Sequence, residues 1–306
     1  VSELYTGPII DAHHHVWDLG LGRHPWLAPG ARVAHRYGDY EAIKHDYLPA
    51  DYLRDIEGTG IVASVYMEAE WTPGDALGEV ATVERYRERT GVPGAIVAQA
   101  WLDAPDVDER LRELAAVPAV KAVRHKPGGP TTPDEAASGR RSLMSDRAWR
   151  AGYARLAEHG LHFDLQTPWW NLAEARRLAE DFPDSTLVID HAAVLTDREP
   201  ETLSAWRAAL EHVASAPNVV VKASGLCVAG QPWTVEANRG PVEDLVRVFG
   251  AERVMFASNF PVDGMFTDLP GLVDGYRRIL SAFPPDVPRA VFHDTARRVY
   301  DPLPLP

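Results

Sequence analysis

Short runs of β-branched and other apolar residues recur along the chain, each apolar in its first half and more polar at its end. Eight can be placed: Ile9–His15, Ile61–Glu68, Ala95–Trp101, Val120–Lys126, His162–Thr167, Thr186–His191, Val219–Ser224 and Arg253–Asn259. Short apolar runs of this kind predict parallel strands buried on both faces. Between them, segments 75–91, 106–117, 146–160 and 171–182 carry apolar residues at helical spacing. Strand alternating with helix implies βαβ units. Eight such units predict a (β/α)8 TIM barrel, for which about 250 residues is typical, spanning 1–306 as a single domain. An open doubly wound sheet is the competitor. Against it, no G-x-G-x-x-G follows the first run and no P-loop occurs.

Three connections exceed the usual length of about two to six residues: Val16–Pro49, Pro127–Leu143 and Gly225–Arg239, after runs one, four and seven. All follow strand C-termini, the face on which barrel enzymes carry their sites. Long loops there are expected to be lids and substrate walls.

Composition narrows the function. The 306 residues are 45% hydrophobic and 25% charged, with 31 Lys+Arg against 44 Asp+Glu and a net charge of −13. An acidic chain argues against binding a phosphate backbone. No apolar run approaches the ~18–20 residues that span a bilayer, so neither nucleic acid nor membrane is an expected partner. One cysteine, Cys227, excludes an intramolecular disulfide framework. With no secretory signal visible, a reducing cytoplasm is the expected location. A homo-oligomer is compatible with all of this. Nine Trp and twelve His remain unusual.

The strongest local signal is Asp11-Ala12-His13-His14-His15-Val16-Trp17. Residues two apart in a strand share a face, so His13 and His15 point together into the barrel and His14 points toward the helices. Two inward imidazoles can hold a divalent cation, serve catalysis, or only hydrogen-bond at a polar strand end. His191, ending run six, adds a third imidazole at the same rim. Arg124 and Lys126 share one phase in run four, and Lys222 lies on run seven. Cations at a barrel mouth suit a carboxylate substrate, while structural ion pairs are the alternative. Glu68 and Glu70 end run two on one face, available as base, metal ligand or partner to Lys126.

The segments IIDAHHHVWD, VIDHAAV, VVVKASG and RVMFASNFPVD together resemble the amidohydrolase superfamily. The resemblance is nearest to its branch of 2-pyrone-4,6-dicarboxylate lactonase, L-fucono- and L-rhamnono-lactonases and sulfomuconolactone hydrolase, and it covers nearly the whole chain in order. It implies a distorted TIM barrel hydrolysing lactones or related esters at the strand C-termini. His13 and His15 would be the first-strand His-x-His pair and His191 the sixth-strand histidine. Members of the family vary between zinc-dependent and metal-free catalysis. One position departs. The branch usually reads Ser-Asp-Trp-Pro on strand eight, its Asp activating water or binding metal, whereas this chain reads Ser258-Asn259-Phe260-Pro261. An amide cannot be a general base at neutral pH, though it can orient water or substrate. The missing function then passes to His191, to Glu68 or Glu70, or, if the loop folds back, to Asp263; otherwise the reaction has changed.

Trp17, Trp71 and Trp101 fall at or after the ends of runs one to three, Trp169 and Trp170 follow run five, and Trp233 lies in the third long loop. Six aromatics on one face predict a pocket with flat walls. With Arg124, Lys126 and Lys222 as anchors, the expected ligand is a small anionic ring compound, nearer an aromatic-degradation product than a sugar lactone. The function expected is hydrolysis of a lactone, or related ester or amide, of such a compound. Decarboxylation or hydration on the same scaffold is the alternative, and a non-catalytic binding protein a more distant one. If a metal binds, zinc is expected, on His13 and His15 with His191 or a carboxylate. Without metal, the same histidines would donate to the developing oxyanion, and His191 or a glutamate would activate water.

Overall fold

The computed structural model describes residues 3–306. Eight strands form one parallel sheet in chain order: β1 (Ile9–His14), β2 (Ile61–Met67), β3 (Ala95–Gln99), β4 (Val120–Arg124), β5 (His162–Leu165), β6 (Leu187–Ile189), β7 (Val219–Ala223) and β8 (Val254–Phe256). The residues after β8 return to β1. Asn259 N–H donates to the His13 carbonyl at 2.8 Å, and His15 N–H to the Phe260 carbonyl at 2.8 Å. Asp11 fastens the same seam by accepting from the Ser258 amide (2.8 Å), the Ser258 hydroxyl (2.6 Å) and the Tyr52 hydroxyl (2.9 Å). With helices between the strands this is the expected (β/α)8 barrel.

Each strand stops short of its predicted run. In β2, β5, β6 and β8 the ladder ends on an apolar residue, whereas β1, β3 and β4 run on to His14, Gln99 and Arg124. The barrel interior is filled by Ile10, Ala12, Val65, Met67, Val97, Val188, Val220 and Met255, and plugged from below by Val299 and Tyr300. A second, larger apolar layer lies between strands and helices and includes Trp149, Trp206 and Phe163.

Strand parity needs one correction. Ile10 and Ala12 point inward, so strict alternation would send His14 inward as well. The pairing of β1 with β2 shifts register between Asp11 and His14. This irregularity exchanges the faces, leaving His14 stacked on Tyr52 with ring centroids 3.9 Å apart and its Nε2 against Ser64. His13 and His15 thus share the inner face as expected, through a register shift the alternation rule does not contain.

The first long loop is pinned to the body. Trp17 and Tyr47 pair across it, the Trp17 indole donates to the His45 carbonyl at 2.8 Å, and the Tyr37 hydroxyl donates to Asp263 at 3.1 Å. The second carries a short helix, Pro133–Ala137, and the third is shortened by a helix starting at Val235. Among the described residues, no helix is long and apolar enough to cross a membrane.

Candidate active site

At the C-terminal end of the barrel lie two adjoining chambers. The inner one, about 380 Å³, is lined by His15, Arg36, Arg124, Gln166, His191 and Asn259, among others. The outer one, about 590 Å³, has Trp71, Pro73, Trp101, Pro127 and Leu143 in its walls. Trp26, Glu70, Arg124 and Lys126 border both.

The three predicted histidines come together. The His13 ring lies 5.1 Å from that of His15 and 4.4 Å from that of His191, centroid to centroid. His15 Nδ1 is held by the Met67 carbonyl at 2.9 Å, and His191 Nδ1 by the Ser224 hydroxyl at 2.9 Å. His13 lies beneath them with its Nε2 buried and unpartnered. Burial, and then the positive charges of Lys222, Arg124 and Arg36, hold all three well below the usual imidazole range. Desolvation disfavours the charged ring and a nearby cation adds to that cost. All three are therefore neutral at pH 7.

His191 arrives by an uncommon route. Residues 191–194 have φ of 55°, 50°, 56° and 57°, four non-glycine residues in the left-handed region. Such conformations are costly and persist only where the surroundings fix them. Here the Trp206 indole clamps the turn by donating to the Ala192 carbonyl at 2.8 Å. Strand parity from Val188 brings Asp190, not His191, to the inner face, and the turn then swings the imidazole over it.

Asp190 belongs to a buried ionic network that the sequence reading did not find. Lys222 Nζ lies 2.5 Å from Asp164 Oδ2, 3.1 Å from Asp190 Oδ1 and 3.4 Å from His13 Nδ1. Arg124 Nε donates to Glu68 at 2.5 Å, and its Nη1 lies 3.5 Å from Asp190 and 3.0 Å from Gln166. Tyr300 donates to Asp164 from below at 2.7 Å. Lys222 is 0% exposed and lines neither chamber; it lies under the floor, not at the mouth where a substrate anchor was expected. Lys126 faces the cleft but is bonded to Glu70. Each cation singled out from the sequence thus meets a carboxylate.

The carboxylates considered as replacements for the strand-eight Asp are likewise engaged. Glu68 is bound by Arg124, and Glu70 by Lys126. Asp263 does fold back: its Oδ1 accepts from Asn259 Nδ2 at 2.7 Å and from Tyr37. Asn259 has φ 57°, a conformation that Asn tolerates better than most residues.

Of the tryptophans, Trp71 and Trp101 line the outer chamber as expected, joined by Trp26. Trp17, Trp169 and Trp170 line neither chamber, and nor does Trp233, which packs on Tyr276 with centroids 5.7 Å apart. The Trp17 and Trp170 indoles are committed to backbone carbonyls of His45 and Pro130, so they brace loops. His35, from the first long loop, lines the inner chamber.

Behind β2, Glu79 accepts from the Tyr66 hydroxyl (2.9 Å) and the Ala69 amide (2.8 Å). Burial, with the charge of Glu68 next, pushes it up to about 8. A carboxyl raised above its unfolded value favours folding fully below that value and loses the contribution as pH rises through the folded one. Unfolding midpoints in urea are therefore expected to fall between about pH 5.5 and about pH 8.5. Glu79→Gln should flatten that slope, and an unchanged slope in the variant would refute the assignment.

The residues present do not make up a preformed site for a divalent cation. Among the described residues no three His, Cys, Asp or Glu side chains are grouped to hold one. His13 Nδ1 lies 3.4 Å from both Lys222 Nζ and Asp190 Oδ1. Asn259 offers only a neutral amide oxygen.

The model of the amidohydrolase family matches residues 10–301, and the chain belongs to that family. Protein y4mH of Sinorhizobium fredii is 35% identical over 297 residues, covering 95% of this chain and 98% of its own. An L-fucono-1,5-lactonase of Burkholderia multivorans is 26% identical over 264 residues, covering 83% and 82% respectively. The crystal structure of a Burkholderia multivorans amidohydrolase with bound zinc superposes with a TM-score of 0.79 at 23% identity, covering 97% of this chain and all of that one. The protein is thus a hydrolytic enzyme built on the amidohydrolase barrel.

Proposed function

We propose that the cleft opens a lactone, or a related ester, of a small ring compound bearing a carboxylate, with its own imidazoles moving the proton. One observation carries the reading. His15 Nδ1 lies 2.9 Å from a carbonyl oxygen, which can only accept, so the ring hydrogen is on Nδ1 and Nε2 has a free lone pair. Burial keeps that ring neutral at pH 7. It lines the same chamber as Asn259 and His191. Asn259 gives its Nδ2 to Asp263, which leaves Oδ1 to accept from a water.

In this scheme Asn259 orients the water and His15 Nε2 takes one of its protons as the oxygen attacks the lactone carbonyl. In the tautomer with its hydrogen on Nε2, His13 supplies donor character beneath the developing oxyanion. The carbonyl carbon–ring oxygen bond then breaks, and His15 Nε2 returns its proton to the departing alkoxide. The flat ring fits the Trp71 and Trp101 walls of the outer chamber, and the lactonase relative supports an ester over an amide.

The test is acid release by the purified protein from 2-pyrone-4,6-dicarboxylate and from L-fucono-1,5-lactone. The carboxylated lactone should be opened faster, and pre-treatment with a chelator should leave the rate unchanged. Loss of rate on chelation, restored by zinc, would overturn the metal-free route. Carbon dioxide evolution without lactone opening would move the assignment to a decarboxylase.

A further inference from the structure

Arg124, Lys126 and Lys222 are neutralised by neighbouring carboxylates, but one cation in the cleft is not. Arg36, from the first long loop, lines the inner chamber with His191 and Asn259. Among the described residues it has no hydrogen-bond or ion-pair partner, and its Nη1 is buried without one. An unpaired guanidinium nitrogen withdrawn from water is expensive, and a carboxylate matches its planar fork.

The position of Arg36 is built. Its guanidinium lies 4.5 Å from the centre of the Tyr37 ring, and Tyr37 is tied to Asp263. Gly225, just after β7, has φ +61°, and a Cβ there would come within 2.7 Å of both Arg36 Nη2 and His191 Cβ. Arg36 and His191 thus pack side by side against a bare stretch of backbone. Asp263 is the acidic group that feels Arg36: burial pushes this carboxyl up and Arg36 opposes the shift. It forms no ion pair with the arginine, and its Oδ1 is occupied by Asn259 and Tyr37.

We propose that Arg36 is the specificity-determining residue that receives the carboxylate of the substrate, so that the enzyme prefers carboxylated over neutral ring compounds. The inference rests on reading the cleft as the site of an anionic substrate. It makes the loop Val16–Pro49 part of the recognition site, because the unpaired cation comes from there and not from a strand.

Calorimetric titration with citrate, a multivalent carboxylate probe, tests this without requiring turnover. The wild-type protein should bind citrate, and Arg36→Met should weaken binding about 10- to 100-fold. Arg36→Lys, which keeps the charge but not the fork, should fall between them and guards against loss of fold. Lys126→Met, removing a cation already paired, should change affinity less than Arg36→Met. Equal citrate affinity in wild type and Arg36→Met, or no citrate binding by the wild type, overturns the proposal. Arg36-dependent citrate binding by a protein that opens neither lactone would sustain this site and defeat the lactonase reading.

Discussion

Replacing His15 by Gln is expected to lower kcat/KM about 10²- to 10⁴-fold, the usual worth of a positioned general base, while the protein remains folded. The expectation follows from the tautomer. The Met67 carbonyl fixes the hydrogen on Nδ1, so the nitrogen facing the cleft is the basic one. Gln can still donate to that carbonyl and fill much of the space, but it offers no proton acceptor of useful basicity. The pH profile supplies a second readout. Burial first, and Arg124 next, hold the imidazole below its ordinary value of 6.5. It acts unprotonated, so activity should persist as pH falls through 6.5 and decline only further into acid. Wild-type rates in His15→Gln would remove His15 from the mechanism.

Lys222→Met is expected to destabilise the fold by about 3–5 kcal/mol, read from the urea midpoint. The ammonium is fully buried between Asp164 and Asp190, and removing it strands two carboxylates in the barrel interior. Burial already raises Asp164 to about 6, against the pull of Lys222. Without the lysine that pull disappears and the carboxyl is pushed higher. Adding Asp164→Asn to Lys222→Met should recover part of the loss, because the amide does not need a counter-charge. No recovery would show that lost packing, not stranded charge, causes the effect. A variant as stable as wild type would show that the network contributes nothing net.

The barrel was legible because each strand is short, apolar and buried on both faces, and because helical periodicity separates one from the next. Strand ends were legible only approximately: polar residues such as His191 and Asn259 leave the ladder, yet they continue the run in sequence. His13 and His15 were correctly placed on one inner face, although the register shift that achieves it lies in the pairing of β1 with β2. Parity from Val188 would have picked out Asp190. The histidine beside it drew attention because its chemistry was more distinctive, and its own approach depends on a left-handed turn with no glycine to announce it. The tryptophans misled where one residue type has two uses. Trp71 and Trp101 face the cleft, whereas Trp17 and Trp170 spend their indole N–H on loop backbone.

By itself the sequence determined the barrel and the shared face of His13 and His15, since periodicity and residue chemistry are local properties, while the contrast at Asn259 came from the family resemblance. Only the tertiary structure decided which charges are paired. Lys222 meets Asp164 across 58 positions of chain, and Tyr300 reaches the same carboxylate across 136. The surplus of cations read along the strands becomes a set of neutralised pairs plus one open guanidinium, Arg36, in a loop without periodicity. Electrostatic pairing depends on distance in space and on burial, and neither is written in the spacing of residues along the chain.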